Sequence, residues 1–392
     1  MKKTVTDAKR HARVDVADVL RGLSVLAIVL IHSIEHFNFY SFPDASSQPA
    51  WLNFLDAAIW DSTFFMISGK AYAVFALLFG FSFFIQDDNQ KMRGNDFRLR
   101  FCWRLFILFI IGNINAMFFT GEILVMYSLI GYVLVLTCRL STRTLLWLAA
   151  ILLLQPMSIY YSLMSAVDPG YTVPMIEEGA YWAAAYAQQS GGDFLSTAKV
   201  NLWEGQIVSL AWAWNHGRIF QTAGLFILGM LIGRQGWFKA RYISGWARVA
   251  GVSVLVFFAL RGLTSMMPEY IQNKGLLFSL NIITSSLANL AFMLLLVSMV
   301  LYAYYRTSLT ALLNRIIPYG RMSMTCYVTQ SIIGSFLFYN WGLGLYRYLG
   351  IAPSILVGAG IFLLQYIFCC WWLKTRSRGP MEHLWRTLTY IR

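Results

Sequence analysis

Asp18-Val-Leu-Arg21-Gly-Leu-Ser-Val-Leu-Ala-Ile-Val-Leu-Ile-His32-Ser-Ile-Glu35-His36 is an apolar run closed at both ends by ionisable residues. A helix needs about 17–25 predominantly apolar residues to cross the ~30 Å hydrocarbon core of a bilayer. The stretch before it is polar and basic, and no small-residue cleavage site follows it, so the run reads as a retained span and not as a signal peptide. Similar runs recur along the chain. Ten helices are expected, over 17–37, 60–85, 101–119, 123–138, 144–164, 218–233, 246–263, 276–304, 323–341 and 353–373. The fold class is therefore an all-α polytopic membrane protein of about ten transmembrane helices.

Composition agrees with that reading. Of 392 residues, 58% are hydrophobic and 12% charged, against ~25% charged in soluble domains. The net charge of +13 does not point to a nucleic acid, because Lys and Arg fall in short blocks between the apolar runs, where basic residues set membrane orientation. With ten spans, 25 of the 31 basic residues fall on one side together with both termini, which predicts N-in and C-in. Five cysteines sit within or beside apolar runs without Cys-x-x-Cys spacing, so neither a disulfide framework nor a thiolate metal site is expected. Three parts follow: residues 1–164, a five-helix half carrying the polar first helix; 165–215, an outer loop; and 216–392, a second five-helix half. Within the loop, Ser196 to Leu210 reads as an amphipathic helix on the outer leaflet, anchored by tryptophan at headgroup depth.

The first span carries the most telling polar pattern. At ~100° per residue and ~1.5 Å rise, Arg21 and His32 share one face about 16 Å apart, and Glu35 and His36 follow at i+3 and i+4 from His32. Asp18 lies three residues before Arg21. Each ionisable group at depth costs ~2.5–3.5 kcal/mol on insertion scales, so an aligned set predicts a bundle-interior or water-lined face rather than lipid exposure. His32-x-x-Glu35-His36 has inverted zinc-protease spacing, but a third ligand of diagnostic spacing is lacking, and no metal is expected. The same residues suit a base (His32), an orienting carboxylate (Glu35) and a second imidazole (His36).

Asp18-Val-Leu-Arg21-Gly22-Leu, with ten residues between Arg21 and His32, resembles the opening helix of the membrane-bound acyltransferase-three family, and Phe64-Phe-Met-Ile-Ser-Gly69 resembles its second-helix motif. Blocks spread over nearly the whole chain resemble the YeiB family of membrane proteins: Gly69 to Phe81, Gly121 to Tyr127, Gly320 to Ser331, Gly342 to Tyr346 and Gly379 to Tyr390. That fold is grouped with transmembrane acyltransferases of the heparan glucosaminide N-acetyltransferase type. The resemblance implies a bacterial inner-membrane enzyme that moves an acyl group, acetyl favoured, from cytoplasmic acyl-CoA to a hydroxyl or amine of an extracytoplasmic glycan or lipid. The Arg-x-x-Arg element of the acyltransferase-three family is not reproduced, since Arg100 and Arg104 are four apart.

On this reading His32, Glu35 and His36 are catalytic. Arg21, Arg100 and Arg104 are donor-binding candidates, because guanidinium groups take phosphates in bidentate fashion, with Asp18 as the carboxylate partner of Arg21 and Lys70 as a further cation within the second span. Trp214, His216, Arg218, Glu122 and Asn281 are acceptor-binding candidates, mixing aromatic faces with polar groups as sugar sites do. Each has a plainer explanation: positive-inside charge for the arginines, interfacial anchoring for the tryptophan, helix-to-helix bonding for Asn281, and a structural ion pair with Asp61, Glu122 or Glu35 for Lys70. Two alternatives from other classes are a transporter or flippase using these residues as a proton relay, and an intramembrane zinc hydrolase. Membrane lipids, acyl-CoA and the acceptor are the expected partners, with no nucleic acid.

Overall fold

A computed structural model describes residues 14–390. The basic block Lys2, Lys3, Lys9, Arg10 and Arg13 and the terminal Arg392, which contribute to the orientation expected above, lie outside the described residues. Every regular element among the described residues is helical. The first half runs α1 (Asp15–Ile34), α2 (Ala50–Met66), α3 (Ala71–Lys91), α4 (Arg98–Ala116), α5 (Leu124–Ile130), α6 (Tyr132–Thr137), α7 (Thr142–Leu153) and α8 (Pro156–Val167). Three helices occupy the long loop: α9 (Gly179–Gly191), α10 (Phe194–Leu202) and α11 (Glu204–Asn215). The second half contains α12 (Arg218–Gln235), α13 (Ile243–Tyr270), α14 (Lys274–Arg306), α15 (Thr310–Arg315), α16 (Ile317–Arg321), α17 (Ser323–Phe338), α18 (Ile351–Trp372) and α19 (Pro380–Thr389).

Among the described residues six helical stretches are long and apolar enough to cross a membrane, or seven if the bent pair α7 and α8 is one span. Helix occupies all ten expected segments, but those at 60–85, 123–138 and 144–164 are each divided in two, and four of the ten lack the length or apolarity of a straight span. Gly131 divides α5 from α6, a 50° bend divides α7 from α8, and α17 has 16 residues. The remaining one, α12, carries Arg218, Gln221, Arg234 and Gln235. Two of these, α12 and α17, are buried along most of their length, and a helix walled by protein instead of lipid has less need of a uniformly apolar surface.

Small residues let the central helices touch backbone to backbone, as in other membrane bundles. A Cβ on Gly80 of α3 would overlap the Phe226 carbonyl of α12, and one on Gly229 of α12 would overlap the Leu77 carbonyl of α3. Gly320 abuts the Asp18 carbonyl in the same way, seating α16 on α1, and Gly358 of α18 packs on Ser33. Helix α1 is thereby packed against α3, α16, α17 and α18, and its polar residues Arg21 and His32 border internal cavities. A break at 67–70 separates α2 from α3 inside one apolar stretch. Gly69 there has φ +75° and faces the Asn289 amide, 2.6 Å from where a Cβ would sit.

The segment Ser196 to Leu210 is not one amphipathic helix. It breaks at Trp203, and α10 folds back onto the bundle: Asn201 Oδ1 accepts from Thr120 Oγ1 at 3.0 Å and from Gln189 Nε2 at 2.9 Å. Burying that amide against a hydroxyl and a second amide removes the polar stripe that would have faced water. The cysteines are free thiols, with the buried Cys326 and Cys369 sulfurs 3.4 Å apart between α17 and α18.

Candidate functional site

Two separate cavities lie end to end along the polar edge of α1. The one near its N-terminal end has a volume of about 230 Å³ and is lined by Arg21, Ser82, Gln86, Arg104, Ser323 and Trp385 together with the apolar faces of α3, α4 and α5. Arg21 is fixed there by two bonds, Nη1 to Asp18 Oδ1 at 2.5 Å and Nη2 to Ser82 Oγ at 3.0 Å. The Arg104 guanidinium stands 3.5 Å above the Trp385 ring centre, and its Nε is buried without a partner. Trp385 is held in turn by its indole N–H, which donates to the Arg104 carbonyl at 3.0 Å. Arg100, one turn earlier, points outward and stacks on Tyr390 at 4.9 Å. The structure therefore unites Arg21, Asp18 and Arg104 and leaves Arg100 apart.

The second cavity is larger, about 500 Å³, and is lined by His32, Glu35, His36, Tyr40, Tyr72, Glu122, Trp182, Tyr186, Trp212 and Arg218 among others. His32 closes the last turn of α1. Its Nδ1 is buried with no hydrogen-bond partner, and its ring packs 4.7 Å from Phe119 and 5.6 Å from His36. Glu35 does not orient His32 as the spacing suggested. The helix ends at Ile34 with Glu35 as its C-cap, and the Glu35 carboxylate instead accepts from the Tyr40 hydroxyl at 2.6 Å and lies 3.7 Å from His36 Nε2. Phe39 and Tyr40 both adopt left-handed backbone conformations, with φ of 55° and 54°. Two adjacent non-glycine residues in that region are strained. The strain is held by Phe39, whose ring is buried beside Tyr339 and Tyr346 at 5.1 and 5.0 Å, and it brings the Tyr40 hydroxyl back over Glu35. Burial, reinforced by Glu35, raises the Tyr40 phenol far above its ordinary range, so it acts as a donor.

Glu122 comes from the short connection between α4 and α5. It accepts from the Asn115 amide and the Leu124 N–H. Burial outweighs those bonds and pushes its carboxyl up to about 8. Arg218, the first residue of α12, donates Nη1 to the Tyr72 hydroxyl and to Gln221 Oε1, each at 2.9 Å.

Other expected residues lie elsewhere. Lys70 is buried at the α2–α3 break, away from Arg21. Its ammonium meets no carboxylate among the described residues: it reaches the Phe64 carbonyl at 3.5 Å and faces the Phe292 and Phe65 rings at 5.5 and 5.9 Å. The left-handed Gly69 turns it toward α14, away from the acidic candidates. Trp214 packs on Phe220, His216 stacks on Trp212 beside Glu178, and Asn281 Oδ1 is buried within α14 without a partner. None of these three lines the larger cavity, although Trp212 does. Among the described residues no group of three His, Cys, Asp or Glu side chains converges on a metal-sized site, which leaves the zinc alternative without a donor set. Sequence reading missed Tyr40, Tyr72, Tyr127 and Gln221 as site residues. Trp182, Tyr186 and Trp212 also line the cavity, and their place in the long loop gives the same sequence signal as interfacial anchors.

A septum separates the two spaces. Ile123 and Met126 face the His32 cavity, while Leu124 and Tyr127 face the Arg21 cavity. Tyr127 donates its hydroxyl to the Tyr72 carbonyl at 2.9 Å, and Tyr327 receives the Ile123 N–H at 3.3 Å. The water-lined face expected for α1 thus takes the form of two cavities, with residues 123–127 between them.

Residues 232–392 match the family model described as "Protein of unknown function (DUF418)". The chain is 27% identical over 413 residues to "Uncharacterized protein YxaH" of Bacillus subtilis (strain 168), covering 97% of this chain and 95% of that protein. It is 26% identical over 386 residues to "Uncharacterized 39.9 kDa protein in amylase 3'region" of Bacillus acidopullulyticus, at 97% and 94% coverage. It is also 24% identical over 393 residues to "Uncharacterized protein YeiB" of Escherichia coli (strain K12), at 95% of each chain. The DUF418 match includes α17, α18 and α19, which support the Arg21 cavity, and stops short of α1. The chain is thus similar over nearly its whole length to YxaH and YeiB, matches DUF418 over residues 232–392, and is all-helical among its described residues, with six or seven helices long and apolar enough to cross a membrane.

Proposed function

We propose that the protein is a transmembrane acyltransferase. Acyl-CoA enters from the cytoplasmic face into the Arg21 cavity, and the acceptor occupies the His32 cavity on the opposite face of a bacterial inner membrane. The observation that carries this reading is the pair of chambers along one buried helix, cationic and aromatic at one end, with an unpartnered imidazole at the other. Arg21 and Arg104 meet the charged part of the donor, and the apolar floor between them suits its thioester arm. In the transfer step the acceptor oxygen or nitrogen bonds to the thioester carbonyl carbon, the carbon–sulfur bond breaks to give a thiolate, and His32 takes the acceptor proton and returns it to that sulfur, so that CoA leaves as thiol. General base catalysis of this kind contributes about 10²–10⁴-fold in rate. Tyr127 must yield for the thioester carbon to reach His32.

Purified protein in neutral detergent, given radiolabelled acetyl-CoA, should release CoA. His32→Ala should lower the rate by about a hundredfold or more while keeping the wild-type melting temperature. Wild-type protein that neither binds nor turns over acyl-CoA, or a His32→Ala variant with an undiminished rate, would remove the transfer reading. Proton-coupled solute uptake into vesicles would then be the measurement that establishes transport.

A further inference from the structure

The charge distribution inside the His32 cavity is lopsided. Arg218 faces it with a guanidinium that pairs with no carboxylate among the described residues: its bonds go to the neutral Tyr72 hydroxyl and Gln221 side chain, and its Nε is buried with no partner. The flat faces of Tyr72 and Trp212 flank it at 4.9 and 5.3 Å. Both carboxylates of the same cavity are engaged elsewhere, Glu35 by Tyr40 and His36, Glu122 by Asn115 and the Leu124 N–H. A charge withdrawn from water without a counter-ion is unfavourable unless something completes it. Here a guanidinium, a planar fork shaped for two acceptor oxygens, lines a cavity large enough for a small ligand. Arg218 also begins α12, where no side chain caps the first N–H groups, so the positive pole of that helix adds to the same field.

We propose that this cavity receives an acceptor bearing an anionic group, a phosphate or a carboxylate, which Arg218 holds while the reacting hydroxyl or amine lies toward His32. The aromatic wall of Trp182, Tyr186 and Trp212 offers ring-sized apolar faces, as carbohydrate sites do, which makes an acidic sugar the fitting class. The second half of this proposal, the position of the reacting group, rests on the transfer reading; the anion site does not.

The test uses the full chain in neutral detergent, without acyl-CoA, and titrates glucose 1-phosphate, glucuronate and glucose by calorimetry. Wild type should bind both anions at least about tenfold more tightly than glucose, the range a charged hydrogen-bonded pair supplies. Arg218→Gln should abolish that preference and Arg218→Lys should keep part of it, since a lysine supplies the charge without the fork. Trp212→Ala should weaken all three ligands together. If Arg218→Gln does not fold, Arg218→Lys decides: an unchanged anion affinity overturns the proposal. Equal affinity of wild type for glucose and the anions, or no anion binding at the highest soluble concentration, overturns it as well. Replacing glucose 1-phosphate by dodecyl phosphate separates a lipid-borne phosphate from a soluble one, the tighter of the two marking the source. Anion binding without acyl-CoA turnover would uphold this site and remove the transfer reading; turnover without anion preference would do the reverse.

Discussion

At the scale of single residues, Glu122 gives the sharpest forecast. Burial pushes its carboxyl up from 4.5 to about 8, so between those values the folded chain holds a proton that the unfolded chain has released. Stability therefore falls as pH rises through that window and levels off above it. Glu122→Gln should remove this part of the slope, so melting profiles from pH 5 to 8 should decline for wild type and run flatter for the variant; parallel profiles would contradict the assignment. The sequence made some residues legible and concealed others. Arg21 and His32 stood out because ionisable groups spaced along one face of an apolar helix have few bland explanations. Tyr40 did not, because its part depends on two left-handed residues after Phe37 that no local pattern announces. Lys70 drew attention for the same reason as Arg21, yet it rests against aromatic rings, which a one-dimensional search for a carboxylate partner does not find.

Among elements, α3 and α12 show how closely two helices approach when glycine faces a carbonyl. Gly229→Leu must displace backbone and not a flexible side chain, and overpacking of even a yielding core costs about 1–3 kcal/mol. The variant should lose the monodisperse peak in size-exclusion chromatography. Gly251→Ala and Gly262→Ala on the exposed face of α13 meet nothing within 4 Å, and alanine there should stabilise by about 0.5–1 kcal/mol. The reverse ordering would refute the packing account. The positions of most helices were legible from apolar runs, but their ends less so. Helix α2 begins at Ala50, ten residues before the expected start, because Asp56 depresses local hydropathy while its buried carboxylate accepts from the Ala352 N–H at 2.7 Å and caps α18. A polar residue that serves a distant helix looks, in one dimension, like a loop.

For the molecule as a whole, the C-terminal helix ties the last elements to the early ones. Glu382 accepts from the Met324 and Thr325 N–H groups at 2.8 and 3.1 Å, and from Thr325 Oγ1 at 2.6 Å, capping α17, while Trp103 and Trp385 anchor α19 to α4. Glu382→Ala leaves those buried donors unmatched, a loss of about 1–3 kcal/mol. It should also expose the Arg21 cavity, read as faster maleimide labelling of a cysteine placed at Ser323; unchanged labelling would show that α19 does not cover it. None of this docking was visible beforehand, since α19 is polar on one side and too short to register as a span.

The partition formed by Tyr127 and Tyr72 has a bioenergetic consequence. An enzyme that handled reagents from both sides through an open water column would short-circuit the proton gradient of its own membrane. If groups are transferred as proposed, the hydrogen-bonded tyrosine between the two cavities would let the bilayer keep its electrical insulation while they change hands.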